Sequence, residues 1–298
     1  MSIIRDHRIT FAKEGFMKYI FGLLFFSLPF VSMAQPRPVP APIHGVTLDR
    51  INNLSSSLTS LKNFSKMPTT RVVFDEGMPA KYYQKAVSSI YGVSYVMGEI
   101  LDSYFVKNIS IAVYEKRAKE YVNLLKNNVD IWEIGNEVNG EWLGTPASVV
   151  AKIKRAGRVV RAAGGKTALT LYYNDECYAK SGNEMNAWMD RYVDSELRSL
   201  VDYVFISYYE CNDGGQPTPD WQAVFDRVSI VFPGKNLGIG EVGTTTDSKK
   251  NALISEFYSM KINTPNFVGG NFWWYFYPDM VPWTKTYWKT LNDTLMLK

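Results

Sequence analysis

The chain has 298 residues, 46% hydrophobic and 21% charged, which is enough apolar content for a sizeable core and excludes wholesale disorder. The formal net charge is +4; residues 1–34 hold four basic side chains (Arg5, Arg8, Lys13, Lys18) against Asp6 and Glu14, and no basic run follows, so nucleic acid is not an expected partner. Aromatic residues make up 14%, with eight tryptophans, a type that serves both cores and binding surfaces.

The N-terminus reads as an export signal. Lys18 precedes a 13-residue apolar run, Tyr19 to Val31, and Ser32-Met33-Ala34 places small residues at the −3 and −1 positions of a cleavage site. The run is too short to span a bilayer comfortably. Met17-Lys18 makes a better natural start than Met1, because the stretch from Arg5 to Gly15 is polar. No Cys follows the signal to carry a lipid, and no later segment has spanning length, so the expected product is secreted or periplasmic with no membrane anchor after cleavage. Residues 35–42, rich in proline, form a stiff linker, and residues 43–298 form one domain.

From Ile43 the chain alternates short apolar runs with longer amphipathic ones. Strands are predicted at Ile43–Leu48, Arg71–Asp75, Val93–Met97, Asp130–Asn136, Thr167–Tyr173, Tyr203–Tyr208, Leu237–Glu241 and Phe267–Trp274. They are continuous and apolar, as strands buried on both faces are. Helices are predicted at Ile111–Lys126 (with Val113, Arg117, Tyr121 and Leu125 at four-residue spacing), Ala147–Ala163 after the cap Thr145-Pro146, Glu184–Leu200, Trp221–Val231 and Ser248–Lys261. Strand and helix repeated eight times is the plan of an α/β (β/α)₈ TIM barrel, single domain. The competing open doubly wound sheet calls for a glycine-rich phosphate turn after the first strand, which His44-Gly45-Val46-Thr47-Leu48-Asp49 does not provide.

In such a barrel the site lies at the C-terminal ends of the strands. Those ends are rich in acids and aromatics: Asp75-Glu76, Glu99, Asn136-Glu137, Tyr208-Tyr209-Glu210, Glu241 and Trp273-Trp274. After signal removal a single His, His44, remains, too few for a histidine metal site or a Ser-His-Asp arrangement, so no metal is expected. Nucleotide cofactors lack their glycine signature, so none is expected either. Carboxylate chemistry remains, and glycosidic cleavage needs two carboxyls, one to protonate the leaving oxygen and one on the opposite face of the sugar. Glu137 and Glu241 end strands four and seven, across the mouth from one another. Strict alternation puts Leu237, Ile239 and Glu241 on one side, and Glu133, Gly135 and Glu137 on another.

The segment Trp132-Glu133-Ile134-Gly135-Asn136-Glu137 resembles the strand-four Asn-Glu motif of glycoside hydrolase clan A, the retaining (β/α)₈-barrel glycosidases that include cellulase-, mannanase- and galactanase-like enzymes. Gly238-Ile239-Gly240-Glu241-Val242-Gly243 resembles the strand-seven nucleophile segment of that clan. Tyr203–Tyr209 resembles strand six, and Gly269-Gly270-Asn271-Phe272-Trp273-Trp274 resembles strand eight. Four motifs fall in order from Ile43 onward. The resemblance implies a retaining β-glycosidase cleaving β-linked polysaccharide or oligosaccharide by double displacement; the export signal makes it a secreted glycoside hydrolase, and the aromatic-rich mouth points to endo action. Glu241 is then the nucleophile and Glu137 the acid/base. Asn136 binds the 2-hydroxyl of the sugar, Tyr208 holds Glu241 (with Tyr209 second in line), and Trp273 or Trp274 stacks on the sugar. Trp142 is a candidate distal platform and Glu99 a candidate substrate-binding residue.

The pattern departs from the clan at three places. Arg71 falls at the start of its predicted strand, away from the mouth, and Glu99 and Tyr208 stand where many members carry His. Cys177 and Cys211 follow neighbouring strands five and six, so a disulfide is geometrically natural, with two free thiols as the alternative. A monomer is expected. A non-catalytic carbohydrate-binding barrel and a transglycosylase remodelling a β-glucan are the other functions these residues allow.

Overall fold

The computed structural model describes residues 36–174, 179–210 and 219–297. Eight strands form a closed barrel in sequence order: β1 Ile43–Leu48, β2 Thr69–Val73, β3 Tyr95–Glu99, β4 Ile131–Gly135, β5 Lys166–Tyr172, β6 Tyr203–Tyr208, β7 Asn236–Val242 and β8 Phe267–Trp273. Every pairing is parallel, and β8 closes on β1. The helices are α1 Leu54–Lys62, α2 Ala80–Tyr91, α3 Ser103–Val106, α4 Ile111–Leu125, α5 Pro146–Ala162, α6 Met185–Tyr192, α7 Ser195–Leu200, α8 Trp221–Val231, α9 Asp247–Ser259, α10 Phe276–Met280 and α11 Thr286–Met296. The fold is a (β/α)₈ barrel, as its apolar runs imply.

Local chemistry explains the helix ends. At α5 the Thr145 side chain accepts from the Ser148 backbone N–H, and Pro146 occupies the first position, where no N–H is needed. The stripe Val149, Ile153, Ala156, Gly157 and Val160 then faces the barrel. On α4 the buried stripe is Tyr114, Ala118, Tyr121, Val122 and Leu125, one step round from the predicted one, and Val113 is half exposed. The single predicted helix over 184–200 is two, because Asp194 leaves α6 and caps α7 by accepting from Leu197 N–H at 2.9 Å.

The core has two parts. Strand side chains facing out pack with the helices, while Ile43, Met97, Ile131, Ala168, Phe205, Val268 and Phe272 fill the lower barrel interior. Val39 packs against this inner group. Arg37 docks nearby, its guanidinium on Asp130 at 2.7 Å and on the Tyr91 and Ser94 carbonyls at 3.1 and 2.8 Å. The folded unit therefore reaches back beyond Ile43 into the proline-rich stretch.

No helix among the described residues is long and apolar enough to cross a membrane. Residues 1–34 (the expected signal, with the start at Met17), Cys177 and Cys211 all lie outside the described residues.

Candidate active site

Two residues above the inner apolar layer the side chains turn polar. On β3 Glu99 follows Met97, on β4 Glu133 follows Ile131, and on β5 Thr170 follows Ala168. Into this layer β2 sends Arg71. Strand β2 begins at Thr69, two residues earlier than predicted, so Arg71 sits mid-strand and its guanidinium reaches the mouth. That corrects the expectation that Arg71 lies at the wrong end.

Arg71 is fully buried and gathers three acids. It grips Glu133 through Nε at 2.6 Å and Nη2 at 3.3 Å, reaches Glu241 through Nη1 at 2.7 Å, and lies 3.0 Å from Glu99. Thr170 also donates to Glu133. Burial opposes the charge on Arg71, but Glu133, Glu99 and Glu241 more than offset it and hold its pKa well above the usual value. Burial raises the Glu99 carboxyl well above its usual range, against the pull of Arg71. Neither Glu99 oxygen makes a hydrogen bond among the described residues beyond the charge contact with Arg71, and the side chain is fully buried beneath the mouth, out of reach of substrate. This corrects its expected substrate-binding role.

The two candidate glutamates come from irregular strand ends. On β7 the register against β6 jumps from Ile206↔Ile239 to Ser207↔Glu241. Leu237 and Ile239 face the helices, and a Cβ on Gly240 would lie 2.6 Å from Phe205 Cβ inside the barrel. Gly240 is the extra residue of a bulge, and it turns Glu241 inward. The expectation that Leu237, Ile239 and Glu241 share a side is therefore corrected: Glu241 points to the axis because alternation is broken. On β4 a matching shift lies between Glu133 and Gly135, where a Cβ on Gly135 would meet Val138 and Ile153 on the helix side. Glu137 follows in the left-handed region, φ 48°, which strains a residue with a Cβ. Its loop is fixed by Asn139, fully buried, which accepts from Tyr172 N–H at 2.7 Å and donates to Tyr172 O at 2.8 Å.

Each glutamate has its own partners. Glu241 accepts from Arg71 and from the Tyr209 hydroxyl at 2.6 Å. Glu137 accepts from Ser103 at 2.8 Å and Ser207 at 2.7 Å. Ser207 is also the register partner of Glu241, so both carboxyls stand within a strand spacing or two of one another. Burial raises both carboxyls. Arg71 opposes the rise at Glu241, whereas at Glu137 the opposition comes first from the two hydroxyls. Burial lifts Glu241 the further of the two, to about 8, against the pull of Arg71 and with the nearby Glu137 carboxyl adding to the rise.

A cavity of about 390 Å³ opens on Glu137 and is lined by Glu137, Trp142, Tyr172, Tyr209, Thr244 and Tyr275 among others; Glu241 adjoins it through the Tyr209 hydroxyl. Trp142 lies edge-on to Tyr172 and donates its indole N–H to Ser103 at 3.0 Å. Ser103 opens α3, which Lys152 of α5 ties down by donating to Val106 O at 2.7 Å. Trp274 stands over Arg71, whose Cζ is 5.7 Å from the ring centroid. Asn136 is buried with its Oδ1 unpartnered among the described residues.

Two expected contacts are elsewhere. Tyr208 packs outside the barrel against Trp221 and Phe257, so the tyrosine holding Glu241 is Tyr209. Trp273 is fully buried among the outer core with its N–H on Asp279 at 2.9 Å, so of the two tryptophans it is Trp274 that stands at the mouth. Ser103, Asn139, Tyr172, Ser207 and Tyr275 are site residues that sequence reasoning missed. Inward alternation through Phe205 and Ser207 would have found Tyr209. Among the described residues no cluster of His, Cys, Asp or Glu could hold a metal ion.

No protein-family model matches the chain, and no curated protein matches it. Solved structures do. A GH30 endoxylanase from Clostridium papyrosolvens is similar at 13% identity and TM-score 0.56, covering 88% of this chain and 73% of its own. The AHE enzyme from Alicyclobacillus herbarius is similar at 10% identity and TM-score 0.56, covering 88% and 99%. A GH5-4 broad specificity endoglucanase from an uncultured bacterium is similar at 12% identity and TM-score 0.53, covering 85% and 94%. At these identities the likeness establishes the architecture: the chain shares the (β/α)₈ barrel of these enzymes.

Proposed function

We propose that this chain is a retaining β-glycosidase of the clan A type that cleaves β-linked polysaccharide or oligosaccharide. The observation that carries the reading is the pairing of Glu137, which lines the cavity, with Glu241, which adjoins it through Tyr209, in different environments, one held by hydroxyls and the other by a guanidinium and a phenol. Two carboxyls whose environments separate their protonation supply the acid and the nucleophile of double displacement. Glu241, in its carboxylate form beside Arg71, attacks the anomeric carbon. Glu137 gives its proton to the leaving oxygen and later takes one from water. Glu133 is spoken for by Arg71 and Thr170 and serves as scaffold. Trp142 and Trp274 offer flat faces to a sugar, Asn136 offers its amide, and the endo-acting names among the similar structures favour a polymer. Export by the segment before Gln35 would bring the enzyme to such a polymer.

The test is reducing-end release from a panel of β-glucans, mannans, xylans and galactans by residues 35–298, beside Glu241→Ala. Release by the wild type alone supports the reading and names the sugar. Binding of a polysaccharide with no product from either form, or longer oligosaccharides in place of hydrolysis, overturns it in favour of a binding barrel or a transglycosylase.

A further inference from the structure

The hydrogen bonds on Glu137 are asymmetric. Both oxygens meet serine hydroxyls, Oε2 from Ser103 and Oε1 from Ser207. The two serines differ in one respect. The Trp142 indole N–H, which can only donate, points at Ser103 Oγ from 3.0 Å. That bond takes one lone pair of buried Ser103 and orients its hydroxyl, whose single proton then meets its partner at Glu137 Oε2. Ser207 is fully buried and meets no such donor among the described residues, so nothing orients its hydroxyl, which can give to Oε1 or, with its own proton turned aside, accept from it.

We propose that Trp142 locks Ser103 as a one-way donor to Glu137 Oε2, so that the acid proton is carried on Oε1 beside Ser207, whose hydroxyl reverses as that proton leaves and returns. Ser103 and Trp142 are then positioning residues acting through Glu137, and the inference rests on the glycosidase reading for its catalytic meaning. In the first step the Oε1–H bond breaks, the proton passes to the glycosidic oxygen, and Ser207 turns from acceptor to donor. In the second, water returns a proton to Oε1 and Ser207 turns back. Neither serine gains or loses a proton overall. Because Ser103 can only donate, it favours the carboxylate state of Glu137, whereas Ser207 serves both states. The charged and titratable groups that face Glu137 are Asp102 after β3, Arg71 on β2, Glu241 on β7 and Tyr209 after β6. Removing the Ser103 hydroxyl or the Trp142 N–H alters none of these.

The test is a carboxyl ¹³C NMR titration of the glutamate-labelled chain, with the Glu137 signal identified by its loss in Glu137→Gln. Ser103→Ala is expected to move the Glu137 midpoint up by about one pH unit, the scale of a lost hydrogen bond to a charged group. Trp142→Phe, which keeps a ring face but frees Ser103 to turn, is expected to move it the same way by less. The double variant is expected to go no further than Ser103→Ala alone. In turnover, the alkaline limb of kcat follows. An unmoved midpoint in Ser103→Ala, or shifts of the two single variants that add, overturns the proposal. Midpoints that move as stated in a chain that hydrolyses no glycoside leave the lock standing and refute the glycosidase reading instead.

Discussion

Replacing Arg71 with Met removes the cation that pairs with Glu99, Glu133 and Glu241 while keeping most of the side-chain volume. Removing one partner of a buried ion pair costs about 3–5 kcal/mol, because the charge left behind has no compensation. For a domain of this size each kcal/mol is worth about 2–4 °C, so thermal unfolding is expected about 6–20 °C lower. The catalytic consequence is separate and has a sign. Arg71 lies 2.7 Å from Glu241 and favours its carboxylate. A hydrogen bond to a charged group is worth about 1.5–3 kcal/mol, or about one to two pH units at 1.36 kcal/mol each. Loss of the cation raises the Glu241 pKa, so the acid limb of kcat/KM moves up by that amount. The assay is the pH profile of hydrolysis beside differential scanning calorimetry. Arg71→Lys, which keeps the charge and loses the fork, is expected to shift the limb less and covers the case in which Arg71→Met does not fold. An acid limb that stays in place in both variants, or moves down, refutes the argument that Arg71 sets the charge of Glu241.

Tyr209→Phe is expected to lower kcat/KM roughly 10- to 100-fold through the lost bond to Glu241, while Tyr208→Phe leaves it near wild type; steady-state kinetics of the pair decides between the two tyrosines. Trp273→Phe is expected to lower the melting temperature with KM unchanged, since its N–H serves Asp279 in the outer core, whereas Trp274→Ala raises KM. Glu99→Gln bears on pH-dependent stability. Burial raises the Glu99 carboxyl in the folded chain above its unfolded value, so the stability it contributes is present at low pH and lost as pH rises toward its raised folded pKa. The Gln variant escapes that loss, and its melting temperature relative to wild type is expected to be more favourable at pH 8 than at pH 5.

Much of the architecture is legible in the amino-acid order, because strands buried on both faces read as short apolar runs whatever their neighbours do. Strands β1 and β6 fall where those runs lie, while β2 starts two residues earlier than read, since buried Thr69 and Thr70 carry no apolar signal, and β3 starts two residues later, since Val93 extends the run beyond the strand. What an apolar run conceals is parity. In Tyr203–Tyr208 both faces are covered, so hydrophobicity alone does not say that Ser207 and then Tyr209 point to the axis while Tyr208 points to the helices. The same blindness exchanges Trp273 for Trp274. The bulges at Gly240 and Gly135 are harder still, because each resets alternation through a residue with no side chain to betray its direction. Glu241 reaches the axis by that reset and not by the alternation from which it was expected. Ser103 and Trp142 sit on loops whose meeting over Glu137 depends on the closure of the barrel, which no local pattern encodes.

The most direct test of the central claim is the site of covalent attachment. The chain is incubated with activated 2-deoxy-2-fluoro glycosides of glucose, xylose, mannose and galactose, digested, and the labelled peptide sequenced by mass spectrometry. A retaining enzyme with Glu241 as nucleophile places the sugar on Glu241 and loses activity in step with labelling. A sugar on Glu133 or another carboxylate, or continued turnover of natural substrate with no labelled peptide from any of the four, contradicts the account.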